Sequence, residues 1–365
     1  LYVNFILVCH RRFLEYGMKK KISGKTIFNV SVILISLVML GYFCLSENGL
    51  VELSKNFKNL DKGWLIMALL SQALNIAIDA YMTYILVKSS VPSFKFHNAL
   101  KTSMVGQFFS AVTPFATGGQ PMQIYYMKKQ KIDIPTATII LMLVTIEYKF
   151  VLVFVGLAAV IFGQTLLQCL SPDVLFFLYL GIGLNVFCVV FMSLLVFKPG
   201  SAKFLIIKGF NLLKKLHLMK EKNNRAQRLE DSMEIYKEAS VYLKANKKAI
   251  LITTLISFVQ RFFLFFITYV VYRSFGLHEV NAFTITILQS VISISVDMLP
   301  LPGGMGISEY LYMRIFTPIF KSSTAASASM LVSRGFSYYV LVIVSGIISF
   351  ITHLTVRGDK ETDIE

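Results

Sequence analysis

The sequence predicts an all-α polytopic membrane protein, with six full spans and two re-entrant broken helices arranged as two inverted repeats. Three observations predict it. Apolar residues make up 55% of the 365 residues and charged residues only 15%, against about a quarter in soluble domains. The apolar residues come in runs of about 20, the length that crosses a bilayer. Two of the apolar regions are broken in the middle by proline and a Gly-Gly pair.

Full spans are expected at 28–46, 63–87, 136–162, 173–197, 249–273 and 325–354. Basic residues set their orientation. Lys and Arg number 36 against 20 Asp and Glu, and they sit between the apolar runs, as cytoplasmic loops require. Lys19, Lys20, Lys21 and Lys25 therefore start inside, 28–46 goes out, and 63–87 returns to Lys88, Lys95 and Lys101. A hairpin over 98–130 keeps Lys128, Lys129 and Lys131 inside, where a full crossing would put them outside. Span 136–162 exits to a loop without Lys or Arg, and 173–197 returns to a strongly basic stretch. Span 249–273 exits, 281–320 dips in from outside, and 325–354 returns, so both termini are cytoplasmic.

The two broken regions read VTPFATGGQPMQ at 112–123 and DMLPLPGGMGISE at 297–309. Proline removes a helix hydrogen bond, and Gly-Gly readily takes positive φ. A turn at membrane depth survives only where protein or a polar cavity surrounds it. One ungapped offset of 185 places Thr83-Tyr84 on Thr268-Tyr269, Lys88 on Arg273, Ser110 on Ser295, Gly118-Gly119 on Gly303-Gly304 and Tyr125 on Tyr310. Three crossings separate the copies, so they are expected to be inverted, as in secondary transporters.

The organisation expected is a cytoplasmic segment 1–27, a first span and outside loop 28–62, membrane repeats 63–197 and 249–355, a basic linker 198–248 between them, and a tail 356–365. In the linker, Phe204, Ile207 and Phe210 beside Lys203, Lys208, Lys214 and Lys215 form a basic amphipathic pattern. It reads either as a helix lying on an anionic leaflet or as a solvated linker helix.

Each Gly-Gly turn precedes a half-helix whose free N–H groups and positive dipole end suit an anion. Gly118, Gly119, Gln120, Gly303, Gly304 and Gly306 are therefore candidate lipid- or anion-binding residues. The alternative is that these turns only let helices pack closely. Ionisable residues inside spans are costly and mark functional sites. Asp79, Glu147, Lys149, Arg261, Asp297, Glu309 and Arg334 form the candidate charged pathway, with Arg314 beside them and Asp79 expected to pair with Arg261. Structural salt bridges account for a share of these.

The net charge of +16 comes without the folded basic face and stacking residues of a nucleic-acid binder. Cys9, Cys44, Cys169 and Cys188 form no CxxC pair, and the five histidines show no HExxH spacing. Gly303–Gly306 follows no strand and is not a dinucleotide fingerprint. No catalytic residue, metal ligand or cofactor is expected.

Thr113–Pro121 and Leu299–Glu309 resemble the two signature regions of the lysylphosphatidylglycerol synthase transmembrane family, over roughly residues 25–355. That family includes the flippase domain of the bacterial multiple peptide resistance factor. The resemblance implies movement of an anionic or aminoacylated phospholipid, such as lysylphosphatidylglycerol, between leaflets of a bacterial plasma membrane, linked to resistance against cationic peptides. In the full-length factor a soluble C-terminal domain transfers lysine from Lys-tRNA to phosphatidylglycerol. The chain reaches Glu365 shortly after its last span, so that domain is expected to be absent and the chain is not expected to catalyse the transfer by itself. The alternatives are a membrane component of a phosphatidylglycerol lysyltransferase with its catalytic domain on another chain, and a non-transporting membrane scaffold. A membrane phospholipid is the expected partner; a separate soluble aminoacyl-transferase and a second copy of the chain stay open.

Overall fold

The computed structural model describes residues 60–113, 116–198, 200, 208, 234–241 and 246–358. The expected span 28–46, most of the basic linker, Pro114 and the tail from 359 onward lie outside the described residues, as does the whole of a first unit, Leu1–Glu47. Everything below belongs to the second unit, Asn48–Glu365.

The described elements are helices. In chain order they are α1 (Lys62–Ser90), α2 (Phe96–Val112), α3 (Gly119–Lys129), α4 (Ile134–Phe162), α5 (Pro172–Phe197), α6 (Lys247–Ser274), α7 (Ala282–Val296), α8 (Ile307–Phe320), α9 (Ser323–Arg334) and α10 (Val340–Gly358). One π-helical turn, Gly335–Tyr339, joins α9 to α10. Among the described residues, five helices are long and apolar enough to cross a membrane: α1, α4, α5, α6 and the composite Ser323–His353. They fall on the five spans expected in this part of the sequence.

Short polar residues start these helices by capping their free N–H groups. Asp61 accepts from Gly63 N–H (2.8 Å), Asp133 from Thr136 N–H (2.9 Å) and Asn281 from Thr284 N–H (2.8 Å). The two broken regions fold as helix–turn–helix hairpins, α2 with α3 and α7 with α8. With 11 residues, α3 is about 16 Å long, too short to cross alone.

The most extensive helix contact joins α1 to α6. The two run antiparallel: Asp61 N–H donates to the Ser274 carbonyl (3.1 Å) at one end, and Gln260 Nε2 lies 3.5 Å from the Asn75 carbonyl at mid-length. Asn75 and Gln260 are 185 residues apart, which is the offset of the internal repeat. Dry clusters close the bundle on either side of this crossing. Leu86, Val87, Ile139, Ile140 and Leu143 pack at one end, and Ala68, Ile267, Val270, Val271 and Val332 at the other. Phe176, Phe187, Phe262 and Phe350 face outward, as a lipid-covered surface allows. Lys88 donates to Tyr84 OH (2.7 Å), and Arg273 donates to Tyr269 OH (3.0 Å) while lying 4.8 Å from the Trp64 ring. Aromatic and basic pairs of this kind suit helix ends at a membrane–water interface.

Candidate functional site

Buried or half-buried polar residues recur on one face of α1, at Gln72, Asn75, Asp79 and Thr83, and on one face of α6, at Thr253, Ser257, Gln260 and Thr268. Steps of three to four residues, with one double step from Gln260 to Thr268, put each set on a single stripe. Between two dry clusters these groups find partners in each other and in polar side chains of the neighbouring helices. Asp79 accepts from Gln107 Nε2 (3.0 Å) and from Gln260 Nε2 (3.3 Å).

The expected ion pair of Asp79 with Arg261 does not form; Gln260, one residue earlier, reaches Asp79 instead. Adjacent helical residues point about 100° apart, so Gln260 is directed at Asp79 while Arg261 is turned from it toward Tyr148 and acts on the carboxylate only at longer range. The Arg261 guanidinium lies over the Tyr148 ring (4.8 Å), and its Nε is buried without a hydrogen-bond partner.

Arg261 lines a cavity of about 360 Å³. The first hairpin contributes Gln107, Ser110 and Ala116 to its wall, and the second contributes Leu301, Gly303 and Gly304. The two broken segments thus meet at one cavity, where polar side chains are set into a mostly apolar wall. The Tyr338 hydroxyl ties them together by donating to the Ala111 carbonyl (2.8 Å). Its ring lies flat against Gly303, whose φ is 58°. A side chain there would collide with the ring and strain the backbone.

The second turn is held by charge. Arg334 pairs with Glu309 (2.5 Å), donates to the Gly303 carbonyl (3.0 Å) and bonds Ser308. Glu309 accepts in turn from Gly306 N–H (2.6 Å) and Ser308 Oγ (2.9 Å). The anion at the N-terminus of α8 is therefore the chain's own carboxylate. The first turn is held without charge. Gly118 N–H donates to Thr113 Oγ1 (2.9 Å), and Gln120 Nε2 donates to Thr145 Oγ1 (2.7 Å). Gly119 packs so closely on α2 that an added Cβ would stand 2.7 Å from the Gly106 carbonyl.

Lys149, 4% exposed, donates to Asp297 (2.6 Å) and Asn185 (3.3 Å), linking α4 to the end of α7 and to α5. Glu147 is buried beside the Thr253 hydroxyl, 2.6 Å away. Arg314 sits apart, at the start of α5, where it pairs with Asp173 (3.2 Å) together with Tyr310 OH (2.5 Å).

Of the sequence-predicted residues, Gly303, Gly304, Arg261, Asp297 and Arg334 line the cavity. Gly118, Gly119, Gln120, Gly306 and Glu309 build the turns behind its wall. Asp79, Glu147 and Lys149 sit in the surrounding helix contacts. Sequence reasoning missed Gln107, Tyr148, Thr253, Gln260 and Tyr338. The polar stripes of α1 and α6 carry a signal for Thr253 and Gln260; nothing local marks Tyr338.

Two broken hairpins meeting at a cavity with polar side chains in its wall, inside a bundle of long apolar helices, define a multi-pass membrane protein with an internal polar site. The family model for the lysylphosphatidylglycerol synthase TM region matches residues 29–345. The chain belongs to that family. No curated protein and no solved structure matches it.

Proposed function

We infer that the chain is a flippase-like lipid translocase. It moves an anionic or aminoacylated phospholipid, such as lysylphosphatidylglycerol, between the leaflets of a bacterial plasma membrane, with both termini cytoplasmic. One observation carries the reading: a guanidinium that makes no ion pair within 4 Å among the described residues, and whose Nε has no hydrogen-bond partner, lines a cavity large enough for a head group. Arginine matches phosphate geometry by paired N–H donors, so Arg261 is the seat of the lipid phosphate. Arg334, the other arginine in the wall, is already neutralised by Glu309. The second Gly-Gly turn serves as cavity wall and the first stands behind it, and each hinges with its hairpin. The antiparallel α1–α6 crossing at residues 185 apart supports inverted repeats, the arrangement on which alternating access rests. The family's name supports lysylphosphatidylglycerol as cargo.

The test is leaflet exchange of head-group-labelled phosphatidylglycerol, its lysyl form and a neutral lipid in proteoliposomes, read by an impermeant quencher. Exchange of the phosphatidylglycerols above empty liposomes is expected. Arg261→Gln is expected to slow it about tenfold, the scale of one charge-assisted hydrogen bond. Equal exchange by Arg261→Gln and the unchanged chain would overturn the assignment of Arg261. Absence of exchange by folded protein would overturn translocation itself.

The family is named for a synthase, which favours a second reading: a membrane component of a phosphatidylglycerol lysyltransferase. On that reading, vesicles carrying the chain, supplied with Lys-tRNA and a soluble aminoacyl-transferase, form the lysyl lipid faster than vesicles with the transferase alone. Equal rates would discard it.

A further inference from the structure

Glu147 lies at the middle of α4 and is 2% exposed. One of its oxygens is 2.6 Å from the Thr253 hydroxyl of α6, and the other is buried with no hydrogen-bond partner. No charged group faces it among the described residues. The polar groups of α5 and of the end of α7, Asn185 and Asp297, both bind Lys149. Lys149 is two positions further along α4, about 200° round the helix. From α3, Gln120 binds Thr145. From α1, Asp79 is taken by Gln107 and Gln260. A carboxylate anion here would be buried with neither a cation nor a full set of donors, an arrangement that proteins avoid by neutralising the group.

Counting hydrogens admits the same answer. Thr253 has one hydroxyl hydrogen. Its oxygen also lies 2.9 Å from the Ala249 carbonyl and 3.1 Å from the Ile250 carbonyl, which only accept. With that hydrogen on a carbonyl of its own helix, the short contact to Glu147 needs a hydrogen from the acid. The repeat adds an independent point. The position equivalent to Glu147 in the second half is Val332, buried in a dry cluster, so the frame does not require a carboxylate at this place.

We propose that Glu147 is a proton-binding site. It carries a proton in the α4–α6 packing seen here and releases it to water when the two helices part, so that lipid movement is coupled to proton movement across the membrane. No covalent bond to carbon changes; the proton leaves the carboxyl oxygen to water on one side and returns from water on the other. The link to the cavity runs through α4, because Lys149 on that helix holds Asp297 in the cavity wall. The coupling rests on the translocation reading, whereas the proton site does not.

The experiment therefore has two arms on the full chain in liposomes. Infrared spectroscopy reads the carbonyl stretch of protonated carboxylic acids near neutral pH. A band lost in Glu147→Gln and shifted in Thr253→Val, which removes its hydrogen-bond partner, is expected; the shift still reports if Glu147→Gln fails to fold. A band unchanged by Glu147→Gln, or unmoved by Thr253→Val, overturns the site. In the second arm, lipid exchange is measured under pH gradients of either sign with the membrane potential clamped. A several-fold change of rate with the sign of the gradient, lost in Glu147→Gln, is expected. A gradient response retained by Glu147→Gln overturns the coupling. If the unchanged chain exchanges no lipid at all, translocation fails while the infrared arm still decides whether Glu147 binds a proton.

Discussion

The two halves of the membrane bundle share a frame and differ in their chemistry. α1 with the α2–α3 hairpin and α4 corresponds to α6 with the α7–α8 hairpin and the last composite span. Lys88 over Tyr84 is repeated by Arg273 over Tyr269, and Lys129 over Tyr125 by Arg314 over Tyr310. Lys149 and Arg334 occupy equivalent places, and both are ion-paired to the second hairpin, through Asp297 and Glu309. The remaining charges are not repeated. Asp79 and Glu147 correspond to Leu264 and Val332, while Arg261 corresponds to Ile76. Groups that anchor helices and brace the second turn are thus duplicated as cations. Groups that make no ion pair within 4 Å among the described residues, Asp79, Glu147 and Arg261, belong to one half only. A duplicated frame needs the same supports twice.

The comparison can be broken most sharply at the duplicated cations. Arg334→Ala leaves Glu309, whose side chain is 6% exposed, as an unpaired buried charge. It is expected to cost about 3–5 kcal/mol, read as a fall in Tm in detergent micelles. Lys149→Ala at the equivalent place is expected to cost less, because the Asp297 side chain is 19% exposed and partly hydrated. A larger fall for Lys149→Ala would mean that the first half, not the second, carries the brace. Next in size is Gly303→Ala. Its φ of 58° and the Tyr338 ring against it predict a loss of about 1–3 kcal/mol, checked by the same melting curve. Arg261→Ile copies the first half's residue into the second. It is expected to leave Tm in place and slow lipid exchange about tenfold, about 1.4 kcal/mol of binding; a drop in Tm without a change in exchange would move Arg261 from the pathway to the frame. The smallest effect is expected at Lys321→Ala. Its pair with Glu279 is 69% and 65% exposed, so the change in stability stays within about 0.5 kcal/mol.

Much of the fold was legible in the sequence. The five spans in the described region and the two Gly-Gly breaks fall where hydropathy and glycine placed them, because crossing length and backbone freedom are properties of short stretches of chain. The site was legible as a set of residues but not as an arrangement. Asp79 was matched to Arg261 by their shared depth, yet a difference of one residue in facing gave Asp79 to Gln260. The N-terminus of α8 offered an anion site by its dipole, yet Glu309 from its own first turn fills it.

By itself, the sequence determined which segments are helical, where each apolar run breaks, and which ionisable residues are forced into an apolar interior. These follow from the length of hydrophobic runs and from the conformations open to proline and glycine. Tertiary structure alone decided which of those charges are neutralised. Lys149 finds Asp297 148 residues away, and Tyr338 reaches Ala111 across 227. Electrostatic neutralisation depends on distances of a few ångströms between side chains of different helices, and sequence position does not encode them. Packing therefore left Arg261 open to the cavity and Glu147 without a cation.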